Sequence, residues 1–347
     1  MRRLRSSFVV GVAFLVAAGI LPARARAIDE RPVTFVISNT NTSAAPCASD
    51  GKQYVLRGTI TAPAGLLESG AASSATLYLH GSGDASSWHF TGVPNYDHIG
   101  EMAELGHVSV FIHSLGYGAS DRVDGTQVCF GSLADATHQV VTELRSGRYS
   151  FGDASVGPAF RRVALAAHSG GGLVAELEAV SYHDIDALIV ASPSDFAFRS
   201  FAYRGLASFA VNCARGGDAK EPGGPRGWAY PLAPADVGHL FFNADPAVID
   251  SFRAAYERDF CAIGTSIVQS LAAMIVLGPT VHVPVLLVYG DHDIYLPGAP
   301  QVERLRFLGS KDVALEVLPD SGHVLMLQRT APHFRATMSE WLAGRGF

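Results

Sequence analysis

The sequence predicts an α/β fold in which helices cover both faces of a mostly parallel sheet and a helical cap is inserted between two strands. Three observations lead to this prediction. Short β-branched runs alternate with helical patterns from about residue 32, several runs are apolar at every position, and one interval of about 85 residues separates two consecutive strands. Such alternation is typical of parallel sheets, whose strands are buried on both sides.

Eight strand candidates follow one another along the chain. They are Val33–Ser38, Tyr54–Ala62, Ala75–His80, Val108–His113, Arg162–His168, Ala187–Ala191, Val283–Tyr289 and Val313–Leu318. The helical patterns between them are Tyr96–Leu105, Leu133–Arg145, Gly171–Ser181, Gln301–Leu308 and Leu325–Leu342. Because two strands come first and strand then alternates with helix, we expect a mostly parallel, eight-stranded sheet.

The long interval, residues 196–281, is predicted to be a cap, since it far exceeds the length of a loop. Residues 28–195 and 282–347 then form one catalytic domain around it. Cap helices are expected at Ala247–Asp259 and Ser266–Leu277, the second apolar but too short to span a membrane. Aromatic residues of the interval favour a roofed apolar pocket, or else form the cap's own core. They are Phe196, Phe198, Phe201, Tyr203, Phe209, Phe241 and Phe242.

The overall composition is that of a folded, compact protein. Of the 347 residues, 48% are hydrophobic and 17% are charged, which excludes a disordered chain and a fibrous repeat. Nucleic-acid binders carry a basic surplus, whereas this chain has a formal net charge of -6. No nucleic-acid partner is therefore expected.

Residues 1–27 are predicted to be a secretory signal peptide. A basic start containing Arg2 and Arg3 precedes an apolar run, and small residues up to Ala25 and Ala27 offer two cleavage sites. A membrane anchor is the alternative, but the run is shorter than the roughly 20 residues that a spanning helix needs. We expect a secreted or periplasmic protein without stable membrane insertion after cleavage. Both Sec and twin-arginine export stay open.

Export changes the net charge and the meaning of the cysteines. Leader removal takes five of the 26 basic residues and no acid, so the net charge falls from -6 to -11. Cys47, Cys129, Cys213 and Cys261 would lie in an oxidising compartment, which favours two disulfide bonds. Three pairings are possible. No CxxC element occurs, which argues against a zinc site.

A serine stands at the turn between a predicted strand and a predicted helix. The strand Arg162–His168 leads into Ser169, Gly170 and Gly171. Small neighbours permit a turn that exposes the hydroxyl, and the following helix directs N–H groups at developing negative charge. An incidental serine in a Gly-rich turn is the alternative, and a phosphate loop is excluded because no Lys follows the glycines.

This turn is where the chain resembles the α/β-hydrolase family, over roughly residues 75–343. Ala167–Gly171 is similar to the family's nucleophile turn, with Ala167 in place of the usual first Gly. Leu79–Gly83 resembles its oxyanion loop. His113–Asp121 resembles the loop after the fourth strand, with His113 in place of the usual Asp. The resemblance implies the α/β-hydrolase fold.

The resemblance also implies an oxyanion hole and a Ser-acid-His order along the chain. The backbone N–H groups of Ser82 and Gly170 would form the oxyanion hole. A serine nucleophile needs a base, and the base needs an orienting acid. The family's G-x-x-D turn selects Asp293 as that acid.

Two other carboxylates remain alternatives for the acid. Asp291 precedes Asp293 in the same turn, and Asp195 follows the strand before the cap. The catalytic histidine is expected at His323, in the Gly-His that follows the last strand. Ser169, Asp293 and His323 are thus the predicted triad.

The resemblance further implies the disulfide pairing. In the family's sheet the second strand lies beside the fourth, which brings Cys47 close to Cys129. Cys213 and Cys261 both belong to the cap and are expected to pair with each other. The second bond would stabilise the cap by a few kcal/mol.

These features favour a secreted serine hydrolase that cleaves a carboxylic ester or lactone of a small to medium, apolar substrate through an acyl-enzyme. No metal and no organic cofactor is implied. A secreted aminopeptidase or amidase with the same triad is the first alternative, with Asp250, Glu257 and Asp259 available to hold a substrate ammonium group. Cofactor-free haloperoxidase chemistry, C–C bond hydrolysis and a non-catalytic binding protein on the same fold also stay open.

Overall fold

The computed structural model describes residues 27–193, 200–296 and 300–347. Most of the predicted leader lies outside these ranges. The alternative acid Asp195 and the cap residues Phe196 and Phe198 also lie outside them.

Eleven strands occur in the described part of the chain, nine of them in one sheet. They are β1 (Ile28–Ser38), β2 (Gln53–Pro63), β3 (Ser74–Leu79), β4 (Ser109–Ile112), β5 (Ser150–Phe151), β6 (Arg162–His168), β7 (Ala187–Ala191), β8 (Trp228–Ala229), β9 (Asp259–Phe260), β10 (Val285–Gly290) and β11 (Val313–Leu318). The large sheet has the order β11-β10-β7-β6-β3-β4-β2-β1-β5, and β8 pairs with β9 separately.

The sheet is mostly parallel, as expected, but has nine strands rather than eight. All pairings from β4 through β3, β6, β7 and β10 to β11 are parallel, while β1, β2 and β5 add antiparallel pairs at one edge. The ninth strand, β5, consists of two residues that pair with Val33 and Thr34 of β1. A strand this short has no periodicity that a sequence pattern can detect.

Seven α-helices accompany the strands in the described residues. They are α1 (His98–Glu104), α2 (Phe130–Ser146), α3 (Gly170–Tyr182), α4 (Ser200–Ala214), α5 (Pro246–Ala255), α6 (Ile263–Leu277) and α7 (Ala331–Ala343). Short 3₁₀ helices cover Pro234–Leu240, Gly278–Thr280, Pro300–Phe307 and Leu325–Leu327.

Several helices differ from the predicted ones. The predicted helix Leu325–Leu342 is divided, and α7 begins at Ala331 because Pro332 fits only the first turn of a helix. The stretch predicted as Gln301–Leu308 is a 3₁₀ helix. The helix predicted to reach Asp259 ends at Ala255, and α4 was not predicted.

Two hydrophobic cores lie on the two faces of the sheet. On one face Leu165 and Val190 belong to the cluster that contains Leu177 of α3 and residues of α2. On the other face Ala166 and Ile189 belong to the cluster that contains α1 and α7. Because successive strand residues point to opposite faces, each buried strand contributes to both cores.

The segment between β7 and β10, called the cap segment here (residues 200–281), contains α4, α5, α6 and the β8–β9 pair. The described residues outside this segment are called the body. One disulfide bond, Cys213–Cys261, joins two points of the cap segment, and the other, Cys47–Cys129, lies in the body. Among the described residues, Ile263–Thr280 is long and apolar enough to cross a membrane by length and composition alone. Its helix α6 has a buried face, including Ala273 and Met274, that packs near α2 and α3.

Candidate active site

The serine predicted as the nucleophile lies at the tight turn between β6 and α3. Ser169 has a φ of 52° and a ψ of -123°, a backbone conformation that residues other than glycine rarely adopt. Gly171 must be glycine, since a Cβ there would collide with the carbonyl oxygen of His80, whereas a Cβ on Gly170 would only displace the Ser82 hydroxyl. This strained turn exposes the hydroxyl of Ser169 at the carboxyl end of the sheet.

Side chains from two other strand ends meet the serine at this turn. Nε2 of His323 lies 2.8 Å from Oγ of Ser169, and Nδ1 of the same ring lies 2.8 Å from Oδ2 of Asp293. His323 follows β11 and Asp293 follows β10, so the parallel sheet brings their loops to one edge. The geometry suits the tautomer in which Nδ1 donates to the carboxylate and Nε2 accepts from the serine hydroxyl.

The environment of Asp293 keeps its carboxyl group ionised. Burial opposes ionisation, but the His323 imidazole outweighs it together with a hydrogen bond from the Tyr295 amide. The pKa of Asp293 consequently lies below its usual value. A carboxylate in this state orients the ring and stabilises a positive charge on it.

The competing acid, Asp291, has a different role in the structure. Its Oδ1 accepts a hydrogen bond from the Ser321 amide at 3.1 Å, and its side chain is 39% exposed. It therefore holds the loop after β11 rather than the imidazole of His323.

Two residues that the sequence did not single out contact the backbone carbonyl group of His323. The Ser192 hydroxyl donates to the carbonyl oxygen of His323 at 2.9 Å, and Nε2 of His168 lies 3.1 Å from the same oxygen. Nδ1 of His168 lies 3.3 Å from Oδ2 of Asp84, and both side chains are buried. The only signal in the sequence is position, since Ser192 directly follows β7 and His168 directly precedes Ser169.

Two backbone N–H groups beside Ser169 are available to bind an anion. The amide nitrogen of Ser82 lies 3.5 Å from the point where a Cβ on Gly170 would stand. Within the described residues, neither the Ser82 nor the Gly170 N–H donates to another backbone group. Gly170 is also the first residue of α3, whose N-terminal end favours negative charge.

The cavity above Ser169 is lined mainly by apolar side chains from both parts of the molecule. The body contributes Phe130, Leu173 and Val324, and the cap segment contributes Phe209 and Phe252. Its polar lining consists mainly of the serine, its histidine and the Asp84–His168 pair. A site of this composition excludes water from an apolar substrate while leaving polar groups at the reacting end.

Comparison with known proteins agrees with this geometry. A model of the alpha/beta hydrolase family matches residues 77–334. The chain belongs to the alpha/beta hydrolase family. Among curated proteins, no sequence matches the chain significantly.

Solved structures with the same fold include several hydrolases. An esterase from Thermogutta terrifontis has 19% sequence identity and a TM-score of 0.59, with 89% of this chain and 98% of the esterase covered. A monoglyceride lipase variant from Saccharomyces cerevisiae has 14% identity and a TM-score of 0.60, with 89% and 96% covered. The enol-lactonase from Burkholderia xenovorans has 18% identity and a TM-score of 0.58, with 84% and 97% covered.

In this alpha/beta hydrolase, the three cap carboxylates considered for binding an ammonium group are engaged elsewhere. Asp250 pairs with Arg253 at 2.8 Å on the surface, and its side chain is 74% exposed. Glu257 pairs with Lys220 at 3.0 Å. Asp259 is fully buried and accepts a hydrogen bond from the Tyr117 hydroxyl. None of the three lines the described part of the cavity.

The aromatic residues of the cap segment divide between cavity and surface. Phe201 and Phe209 line the cavity, and Phe241 packs edge-on against Phe252. Tyr203 is exposed, and so is Phe242, which stacks on His292 with a centroid distance of 3.5 Å. Both roles considered for these residues, pocket roof and cap core, therefore occur.

Two groups of side chains in the described residues have a composition that suits metal ions. They are Glu30, His89 and Asp97, and His138, Glu178 and Asp184. Neither group lines the cavity of the alpha/beta hydrolase site. In the first, the two ring nitrogens of His89 face different carboxylates, an arrangement of ion pairs rather than of one metal centre.

Proposed function

We propose that this protein is a secreted serine hydrolase that cleaves a carboxylic ester or lactone. The observation that carries the proposal is the Ser169–His323–Asp293 chain of 2.8 Å contacts at the base of an apolar cavity. Ester-cleaving enzymes among the structural relatives support the same reaction class.

The proposed reaction begins with attack of the Ser169 hydroxyl on the carbonyl carbon of the substrate. Nε2 of His323 accepts the proton, and Asp293 stabilises the imidazolium that forms. The N–H groups of Ser82 and Gly170 bind the oxyanion of the tetrahedral intermediate. Collapse of the intermediate expels the alcohol, which takes its proton from His323, and water then releases the acid from Ser169 by the same steps.

The cavity supports a small to medium, apolar substrate. Phe209 and Phe252 of the cap segment and Phe130 and Leu173 of the body offer an apolar surface to an acyl or alcohol group. Each buried methylene group contributes about 0.8 kcal/mol, so binding should strengthen with chain length until the cavity is full. Among the described lining residues the one carboxylate is that of Asp84, which already faces Nδ1 of His168 at 3.3 Å, and this favours esters over aminoacyl amides.

Export is part of the proposal. Two disulfide bonds, Cys47–Cys129 and Cys213–Cys261, suit an oxidising compartment. A small-molecule ester or lactone outside the cytoplasm is the partner that fits this location.

The test is hydrolysis of 4-nitrophenyl esters of graded acyl length, alongside lactones and aminoacyl anilides. We expect turnover of esters or lactones, and in the Ser169→Ala variant a kcat lowered by about 10⁴-fold or more. Labelling of Ser169 by a fluorophosphonate probe provides a second measurement. Full activity of Ser169→Ala would contradict the mechanism, and an unlabelled, inactive wild type would favour a binding protein.

A further inference from the structure

A cluster of ionisable side chains lies between α2 and α3, outside the cavity above Ser169. It consists of His138 on α2, Glu178 on α3 and Asp184, two residues after the end of α3. Each residue offers one potential ligand atom, and these atoms lie within 4.8 Å of one another. Nδ1 of His138 lies 2.8 Å from Oδ2 of Asp184. One imidazole and two carboxylates thus meet at one place in the body.

The carboxylate of Glu178 lacks the partners that a buried charge needs. The residue is 0% exposed, and within the described structure neither of its carboxylate oxygens has a hydrogen-bond partner. Oδ1 of Asp184 is likewise buried without a hydrogen-bond partner there. Buried polar groups are as a rule hydrogen-bonded, paired with a charge or coordinated to a metal ion. A bound cation would satisfy these three oxygen atoms together.

The charges around Glu178 also favour a cation. Burial raises the pKa of Glu178, and the neighbouring Asp184 carboxylate raises it further, whereas the positive charge of Arg145 opposes the rise. Arg145 binds the backbone oxygen of Asp184 at 2.9 Å and the carboxylate of Asp186 at 2.7 Å. Its charge is therefore shared with another carboxylate. A divalent cation at the cluster would allow Glu178 and Asp184 to be ionised at the same time.

The ring of His138 is held in place beside an opening to solvent. It stacks on the ring of Tyr182 with a centroid distance of 4.0 Å, and the Tyr182 hydroxyl lies 3.0 Å from the hydroxyl of Thr42. The side chains of His138 and Asp184 are 32% and 23% exposed. The orientation of the imidazole is thus fixed, while one side of the cluster offers the entry path that a binding ion requires.

We propose that His138, Glu178 and Asp184 form a structural binding site for a zinc ion, with a water molecule as the fourth ligand. One imidazole nitrogen and two carboxylate oxygens suit Zn²⁺, whereas Ca²⁺ and Mg²⁺ prefer oxygen ligands alone. A tetrahedral zinc ion keeps its ligand atoms about 3.4 Å apart, so small side-chain rotations are sufficient to form the site. The ion would join α2 to the C-terminal end of α3 and stabilise the body without taking part in ester cleavage.

Calorimetric titration of the metal-stripped, tag-free protein with zinc chloride tests this site. We expect one zinc ion to bind per chain and the melting temperature to rise by a few degrees when zinc exceeds its Kd by about 100-fold. In Glu178→Gln, zinc affinity should fall by at least about tenfold, and this rise in melting temperature should disappear. Without zinc, the melting temperature of Glu178→Gln should be no lower than that of the wild type, because the substitution removes a buried, unpaired carboxylate.

His89→Gln is the matched control, because it removes the histidine of the other group whose composition suits a metal ion. It should leave zinc affinity unchanged. If Glu178→Gln does not fold, His138→Gln takes its place, since this side chain is partly exposed, and it should lower zinc affinity to the same extent. A wild type that does not bind zinc, wild-type affinity in the folded Glu178→Gln or His138→Gln variant, or loss of binding in His89→Gln would overturn the inference.

Discussion

The two halves of the active site are supported in different ways. Ser169, Asp293 and His323 follow strands of one sheet, and their contacts depend on loops that begin where those strands end. The oxyanion loop follows β3 of the same sheet, but its turn is held from the cap segment, because the Glu257 backbone N–H donates to the carbonyl oxygen of Gly83. The three residues of the proposed triad thus belong to the body, whereas the proposed oxyanion loop is held by the body and the cap segment together.

Substitutions in the triad and in the cap segment should therefore affect the site in different ways. A change in the triad removes a reacting group and should act on kcat whatever the state of the cap. A change that loosens the cap should leave the triad contacts intact and weaken binding of the oxyanion. The proposed mechanism therefore predicts that changes in the cap segment affect kcat as well as substrate binding.

The largest effect is expected from the acid of the triad. Asp293→Asn removes the carboxylate that holds Nδ1 of His323, and kcat should fall by about 10⁴-fold because the imidazole adopts the wrong tautomer. Asp291→Asn is the matched control two residues away, and it should change kcat less than about twofold. Steady-state kinetics of both variants measure this. Equal losses of kcat in the two variants would contradict the assignment of Asp293 as the acid of the triad.

The two disulfide bonds provide the next test of the difference between the body and the cap segment. Replacing either pair by serines should cost about 2–5 kcal/mol of stability. Only Cys213→Ser with Cys261→Ser should also lower kcat, by about tenfold, because Cys261 closely follows Glu257, whose backbone N–H holds the carbonyl oxygen of Gly83 in the oxyanion loop. Cys47→Ser with Cys129→Ser is the control in the body. Identical kcat values for the two double variants would contradict the dependence of the oxyanion hole on the cap.

The smallest effect is expected from His89, which lies in the part of the body that follows the oxyanion loop. His89 lies 2.9 Å from Asp97 and 3.5 Å from Glu30. Burial lowers its pKa, but the two carboxylates outweigh burial and raise the pKa to about 9. The unfolded value is about 6.5, so this stabilisation is complete below about pH 6.5 and is lost as the pH rises through about 9.

His89→Gln should accordingly lower the melting temperature by a few degrees at pH 6 and have no such effect at pH 10. Its kcat should equal that of the wild type, in contrast to that of the variant without the Cys213–Cys261 bond. Thermal melts over this pH range measure the first expectation. A pH-independent difference in melting temperature would show that packing, rather than charge, carries the contribution of His89.

Much of the structure of the body could be predicted because the sequence patterns that indicate it are local. The strand-turn-helix pattern around Ser169 and the short loops after β10 and β11 each carry their chemistry within a few residues of a strand end. Parallel strands bring such ends together, and the resemblance to the α/β-hydrolase family then selected Asp293 and His323 among the candidates at those ends. The α/β fold and its parallel sheet followed from the same alternation.

The cap segment could not be predicted in this way because its contacts are distant in sequence. Asp259 was assigned to the end of a helix, whereas it lies on the two-residue strand β9 and accepts a hydrogen bond from the hydroxyl group of Tyr117 far upstream. Strands of two residues, such as β8 and β9, show no periodicity. Ser192 and His168 were missed for a related reason, since they support His323 by binding its backbone oxygen, which no motif records.

The Cys213–Cys261 bond has a further consequence for a protein that meets proteases. It closes a loop of 48 residues within the cap segment. The stretch from Glu221 to Arg226 inside that loop is almost entirely exposed, so it is the natural place for a protease to cut. A single cut there leaves two polypeptides that stay covalently joined, and the nicked molecule retains every residue of its active site.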